Sequence, residues 1–139
     1  SVIAVEPVDW KDTGKYGIVS GTELSQGLMR IDSIVEKPRP DVAPSNLAVV
    51  GRYVLDTRIF ELLEQTRPGA GGEIQLTDAI AALLGEQSVC AYRFDGVRYD
   101  CGTKFGYVHA TLKLALDDAE IGDDMRRLLA ELHEGATSD

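Results

Sequence analysis

The sequence predicts an α/β or α+β fold built on a mixed sheet. Three observations lead there. Apolar, β-branched runs crowd the first part of the chain, helical periodicities take over beyond Asp56, and the two kinds of segment then intersperse. A chain of 139 residues is one domain's worth at most and long enough to bury a core. With 44% hydrophobic and 27% charged residues, it has the balance of a soluble globular protein.

The elements follow in order. "SVIAVEPV" reads as an opening strand. Tyr16 to Val19 and Leu28 to Val35 flank "SGTELSQG", a turn region bounded by glycine and serine, and read as an antiparallel pair. Leu47 to Leu55 is a further apolar strand. Asp56 or Thr57 then caps a short helix carrying Ile59, Phe60, Leu62 and Leu63. "RPGAGGE" breaks it. A second helix places Leu76, Ile80, Leu83 and Leu84 on one face. Val89 to Phe94 and Val97 to Tyr99 read as strands joined at Asp95-Gly96. A longer helix carries Phe105, Val108, Leu112, Ala115 and Leu116. A last helix carries Met125, Leu128, Leu129 and Leu132, with Asp123 and Asp124 at its positive N-terminal end. There is no internal repeat and no low-complexity tract.

Charge and cysteine usage narrow the function. The net charge of −9 argues against non-specific nucleic-acid binding. From Asp117 onward eight acids face two arginines, so −6 of that charge is a C-terminal, solvated feature. No apolar run approaches membrane-spanning length, and the first residues carry no basic segment of a secretory signal. Cys90 and Cys101 lie on separate predicted strands without metal-ligand spacing. Both read as reduced, core or near-core thiols of a cytoplasmic protein.

Chemistry-bearing residues are few. No Ser-His-Asp or Cys-His arrangement is visible, and His109 and His133 read as ordinary helix residues. "PGAGGE" lacks the Lys-Ser/Thr ending of a phosphate loop and reads as a connection between helices. In "IVEKP" a strand ends on Glu36 and Lys37 before Pro38. The residue before proline is pushed toward extended geometry, which would send the two charged side chains to opposite faces. Strand ends are where α/β sheets place their ligands. In "RYDCGTKFGY", Asp100 follows a strand just ahead of the helix that Thr103 opens, as either an N-cap or a metal ligand. Two carboxylates and a lysine on loops point weakly to a phosphorylated ligand.

At "VEKP", "SNLAVVGRYVL", "GAGGEIQLTDAI" and "YDCGTKFGY" the chain resembles the bacterial UTP–glucose-1-phosphate uridylyltransferases, the UDP-glucose pyrophosphorylases. The resemblance runs from about Val2 through Leu132 and covers the second half of the family only. It implies the C-terminal part of a nucleotidyltransferase mixed β-sheet domain, with flanking helices and C-terminal association helices. The family's glycine-rich nucleotide loop with its "GTR", and the metal-holding aspartate of its first half, are not among these residues. The chain is therefore expected to be a fragment, inactive alone, of an enzyme that makes UDP-glucose and pyrophosphate from UTP and glucose-1-phosphate with Mg²⁺. The alternative is a truncated sugar-phosphate-binding, regulatory or oligomerisation module.

The resemblance also implies roles. Gly17, in "KYG", falls where backbone touches the sugar. Glu36 falls where a carboxylate accepts from glucose hydroxyls, and Lys37 where an ammonium meets the sugar phosphate. Val49 lines the sugar pocket in related enzymes, with Tyr53 nearby. Asp100 matches a metal-binding aspartate of the related thymidylyltransferases, with "DCG" here in place of "DTG". Residues 1–102 would be the sugar-phosphate-binding half and residues 103–139 the association helices of a homo-oligomer.

Overall fold

A computed structural model describes residues 1–69 and 72–136. Two compact units divide the chain, Ser1–Gly96 and a second from Val97 onward, rather than at the 102/103 boundary read from sequence.

The first unit holds every strand among the described residues. These are β1 (Val2–Pro7), β2 (Gly17–Ser25), β3 (Leu28–Glu36), β4 (Leu47–Val54) and β5 (Cys90–Arg93). They close into a barrel in the order β1-β4-β2-β3-β5. The sheet is mixed, as expected. β5 runs parallel to β1 and antiparallel to β3, while the other pairs are antiparallel. Closure leaves no free edge for strangers.

Closure also corrects two readings. Val97 to Tyr99 is not a strand. Both edges of β5 are already taken, by β1 and β3, so a hairpin partner for it has no place. The supposed turn region "SGTELSQG" is mostly strand: Thr22 and Glu23 stand opposite Arg30 and Met29. Thr22 Oγ1 donates to Asp32 Oδ2 at 3.0 Å across the pair. The turn itself shrinks to Gln26 and Gly27, the glycine adopting φ +77°.

Two helices complete the unit, α1 (Arg58–Gln65) and α2 (Leu76–Leu84). At the start of α1 the Asp56 carboxylate accepts the Arg58 N–H at 2.9 Å, whereas Thr57 makes no side-chain cap bond. Ile59 and Leu62 of α1 meet Ala79, Ile80 and Leu83 of α2 in one core with Ile3, Val5, Val19, Ile31, Ile34, Val89 and Ala91. Each fully buried Ile, Leu or Val contributes about 1.5–3 kcal/mol. Phe60 points out, 67% exposed. The loop expected at "PGAGGE" does connect α1 to α2, although Ala70 and Gly71 lie outside the described residues. A short 3-10 turn, Trp10–Lys15, missing from the sequence reading, precedes β2.

The second unit contains α3 (Lys104–Asp117) and α4 (Gly122–Ala136). Thr103 is the N-cap of α3, its Oγ1 accepting the Gly106 N–H at 3.0 Å. Asp118 Oδ1 accepts from the N–H groups of Glu120 and Ile121 and closes the turn between the helices. Arg126 ties them by donating to the Leu116 carbonyl at 2.6 Å. The apolar stripes stay open: Phe105 is 80% exposed, Val108 53% and Leu132 61%. Among the described residues no helix is long and apolar enough to cross a membrane. Both cysteines are free, but Cys101 is exposed in a turn rather than near-core on a strand.

The β2–β3 bulge yields a stability test. A Cβ on Gly21 would stand 1.9 Å from the Arg30 carbonyl oxygen, a backbone atom that cannot swing away. Gly21→Ala should therefore cost about 1–3 kcal/mol, the usual range for overpacking. Gly14→Ala, whose Cβ would find its nearest neighbour at 3.7 Å, is the control and should stay within about 0.5 kcal/mol. Urea unfolding of the two variants checks both values.

Candidate functional site

The site grows from the end of β3. Side chains alternate across a strand, so Ile34 and Glu36 share a face. Ile34 belongs to the core, and Glu36 continues that inward row to the barrel's mouth. Gly17 lies opposite Glu36 in register, as Val19 lies opposite Ile34. A Cβ on Gly17 would come within 3.3 Å of both Glu36 Oε2 and Thr77 Oγ1, so the bare glycine is the floor on which those groups rest.

Thr77 is the second residue of α2, the helix that covers the core with Ala79, Ile80 and Leu83. Its hydroxyl donates to Glu36 Oε2 at 2.6 Å. That length belongs to charge-assisted O–H···O⁻ bonds, which are roughly twice as strong as neutral ones. The carboxylate thus sits beside the first turn of α2, where the helix dipole favours negative charge. The sequence reading gave Thr77 no role. The available signal was a hydroxyl residue, an indifferent helix former, inside the first turn of a helix.

Lys37 departs from expectation. Its φ is +44°, in the left-handed region, not extended. Such a backbone costs a non-glycine residue on the order of 1–3 kcal/mol and persists only when its surroundings over-determine it. The surroundings are identifiable. The Lys37 N–H donates to the Tyr16 carbonyl at 2.9 Å. Pro38 is buried, and its carbonyl accepts at 3.4 Å from the hydroxyl of Thr13, a fully buried residue of the 3-10 turn. The left-handed step stops Lys37 from pointing away from Glu36. Its Nζ lies 3.7 Å from Glu36 Oε1, an ion pair too long for a hydrogen bond. The Lys37 side chain is 59% exposed and that of Glu36 23%. A shallow pocket opens here, lined by Ile34, Val35, Glu36, Lys37, Gln75 and Asp78.

Tyr53 joins this group. Burial, and behind it the charge of Glu36, hold its phenol above the ordinary tyrosine value. The structure brings Gly17, Glu36, Lys37 and Tyr53 into one neighbourhood and adds Thr77. Val49 is half-buried in register with Val5 and packs against the core cluster. Asp100 belongs to the second unit. It is exposed, and its Oδ1 accepts the Gly102 N–H at 2.9 Å. Of the two roles left open for it, the N-cap of α3 goes to Thr103. Among the described residues no group of three or more His, Cys, Asp or Glu gathers as a metal cage. A single carboxylate such as Asp100 fits the way magnesium is held, by one or two carboxylates plus substrate phosphates. What the end of β3 offers is a fixed anionic acceptor with a cation beside it, and a phenol near enough to feel the carboxylate's charge.

Comparison with known proteins agrees in kind. Residues 2–116 match the nucleotidyl transferase family. A UTP–glucose-1-phosphate uridylyltransferase of Pseudomonas aeruginosa is 48% identical over 111 residues, covering 80% of this chain and 40% of that protein. One of Streptococcus pneumoniae serotype 4 is 45% identical over 138 residues, covering 99% and 46% respectively. Among solved structures, a UDP-glucose pyrophosphorylase complexed with UDP-glucose superposes with a TM-score of 0.80 at 43% identity, covering 84% of this chain and 44% of the other. A UTP-bound enzyme of the same kind from Acinetobacter baumannii gives 0.80 at 44% identity, covering 94% and 45%. The chain thus spans less than half the length of these relatives.

The Tyr53 phenol reports on the site. Because its folded pKa is raised, the unfolded chain loses this proton first. The stability it contributes is intact below the ordinary value of about 10 and falls as pH rises toward the folded value. In an ultraviolet phenolate titration, Tyr53→Phe should remove a phenol that ionises above the ordinary range. Glu36→Gln should bring that ionisation only part of the way back, because burial, the larger cause, remains. No change on Tyr53→Phe would show that the phenol is not held above the ordinary range.

Proposed function

The chain belongs to the nucleotidyl transferase family, and we propose that it is the sugar-phosphate-binding portion of a UTP–glucose-1-phosphate uridylyltransferase. The observation that carries this reading is the pairing of Glu36 and Lys37. Adjacent residues present an acceptor and an ammonium at one mouth, 3.7 Å apart and not consuming each other's hydrogen bonds. A sugar phosphate needs that combination: a charged acceptor for its hydroxyls and a point charge for its phosphate. The order of the sequence motifs supports a place in the second half of such an enzyme.

In the proposed reaction a phosphate oxygen of glucose-1-phosphate attacks the α-phosphorus of UTP in line. The new P–O bond forms as the α–β anhydride breaks, and pyrophosphate leaves. No protein nucleophile is required, so the protein's work is positioning and charge neutralisation. Lys37 offsets the repulsion between the incoming phosphate and UTP and orients the attacking oxygen. Glu36 holds the sugar hydroxyls and Gly17 lets the ligand approach the backbone, while the resemblance assigns Val49 and Tyr53 to the sugar's surroundings. The resemblance gives Asp100, a residue of the second unit, as the carboxylate that would hold Mg²⁺, an ion whose chemistry is charge neutralisation. The open apolar stripes of α3 and α4 support homo-oligomerisation. A cytoplasmic site of action accords with the free thiols.

Two measurements test this. In the complete protein carrying this chain, Lys37→Ala should lower kcat/KM for pyrophosphate release by a factor on the order of 10²–10³, roughly 3–4 kcal/mol. Lys37→Arg should not restore it fully, because a planar fork does not occupy a point charge's position. A loss under about fivefold, or about 1 kcal/mol, would identify an ordinary surface lysine. Truncation before Gly122 should lower the sedimentation coefficient of the oligomer, and an unchanged assembly would remove α4 from the interface.

A further inference from the structure

We infer that Thr77 is a positioning residue that acts through Glu36 to set the affinity of the site for the pyranosyl moiety of the sugar phosphate. This rests on the sugar-phosphate reading of the site and goes beyond it by naming what holds the recognising carboxylate.

A glutamate at a strand end has three rotatable bonds, and its terminal carboxylate plane is the softest of them. A carboxylate that must meet ligand hydroxyls in one orientation would lose affinity for every alternative orientation it samples. Here the choice is made before a ligand arrives. Thr77 Oγ1 donates to Oε2 at 2.6 Å. The pairing dedicates one oxygen to the protein and leaves Oε1 on the side of Lys37. Thr77 itself is fixed, because α2 is anchored in the core by Ala79, Ile80 and Leu83. Gly17 closes the arrangement from below, since any Cβ there would press on both Oε2 and Oγ1 at 3.3 Å. The helix therefore carries the core's rigidity directly to the acceptor, and β2 contributes by omitting a side chain.

Threonine suits the task for a chemical reason. Its hydroxyl can donate to a carboxylate acceptor, while its branched Cβ limits χ1 and keeps that donor aimed. Valine keeps the shape and loses the donor. Serine keeps the donor and loses a methyl group.

The test is a double-mutant cycle on the complete protein carrying this chain, with KM for glucose-1-phosphate and for UTP measured separately. Thr77→Val should raise KM for glucose-1-phosphate about tenfold, as expected for losing one hydrogen bond to a charged group, and leave KM for UTP within about twofold. Thr77→Ser should recover most of the loss. In a Glu36→Gln background, Thr77→Val should add less than about twofold, because the residue acts only through that carboxylate. A purely structural threonine would instead give additive losses, and additivity overturns the inference. Should Thr77→Val fold poorly, Thr77→Ala replaces it, with the same expected rise in wild type and the same silence beside Glu36→Gln. If Glu36→Gln alone leaves KM for glucose-1-phosphate unchanged, the sugar-phosphate reading fails and this inference with it. If Glu36→Gln raises KM and Thr77→Val does not, only the inference is overturned.

Discussion

The arrangement depends on one placement: a carboxylate at the end of an inward-facing row. Glu36 follows Ile34 on the core face of β3, and its side chain is only 23% exposed. A partly buried charge must be hydrogen-bonded, or its desolvation costs several kcal/mol. Thr77 meets that demand, and so ties the N-terminal turn of α2 to the end of β3. Gly17 makes room, which ties in the start of β2. The site is thus the place where three elements resolve one electrostatic problem. The same solution leaves an acceptor facing solvent with a cation beside it.

The second constraint is the left-handed backbone at Lys37. Strain there is held by bonds from both sides, the Tyr16 carbonyl on the Lys37 N–H and the Thr13 hydroxyl on the Pro38 carbonyl. The 3-10 turn Trp10–Lys15 is therefore part of the site's support although it contributes no group to the pocket lining. Extended geometry at Lys37 would have sent the ammonium to the other face of β3, away from Glu36. The barrel's closure acts on a larger scale. By occupying both edges of β5 it removed a hairpin, and by lengthening β2 and β3 it reduced a turn region to two residues.

Much of this was legible in the residues. Local alternation and 3.6-residue periodicity marked β1, β3, β4, α2, α3 and α4, because binary patterning is written into each segment without reference to its neighbours. Gly17, Glu36, Lys37 and Tyr53 were named from motifs that resemble those of a known family, and they do share one neighbourhood. Thr77 stood inside a quoted motif and was passed over, because its value lies in a hydroxyl reaching a residue far away in the chain. The Val97–Tyr99 strand was misread because Val97 and Tyr99, alternating about Arg98 beside an Asp-Gly turn, satisfy every local rule for a hairpin.

The sequence by itself determined the class of fold, the mixed sheet and the identity of the charged pair before Pro38, since these follow from pattern, composition and adjacent residue types. Only the tertiary structure decided how that pair is used. The rule for a residue before proline is local, and it predicted an extended Lys37. The contacts that overturn it come from Thr13 and Tyr16, more than twenty positions away along the chain. Likewise, whether β5 accepts a third partner depends on which strands already flank it, and barrel closure fixes that. Hydrogen bonds and steric exclusions between distant segments outweigh local preferences of about 1–3 kcal/mol, and those segments meet only once the chain has folded.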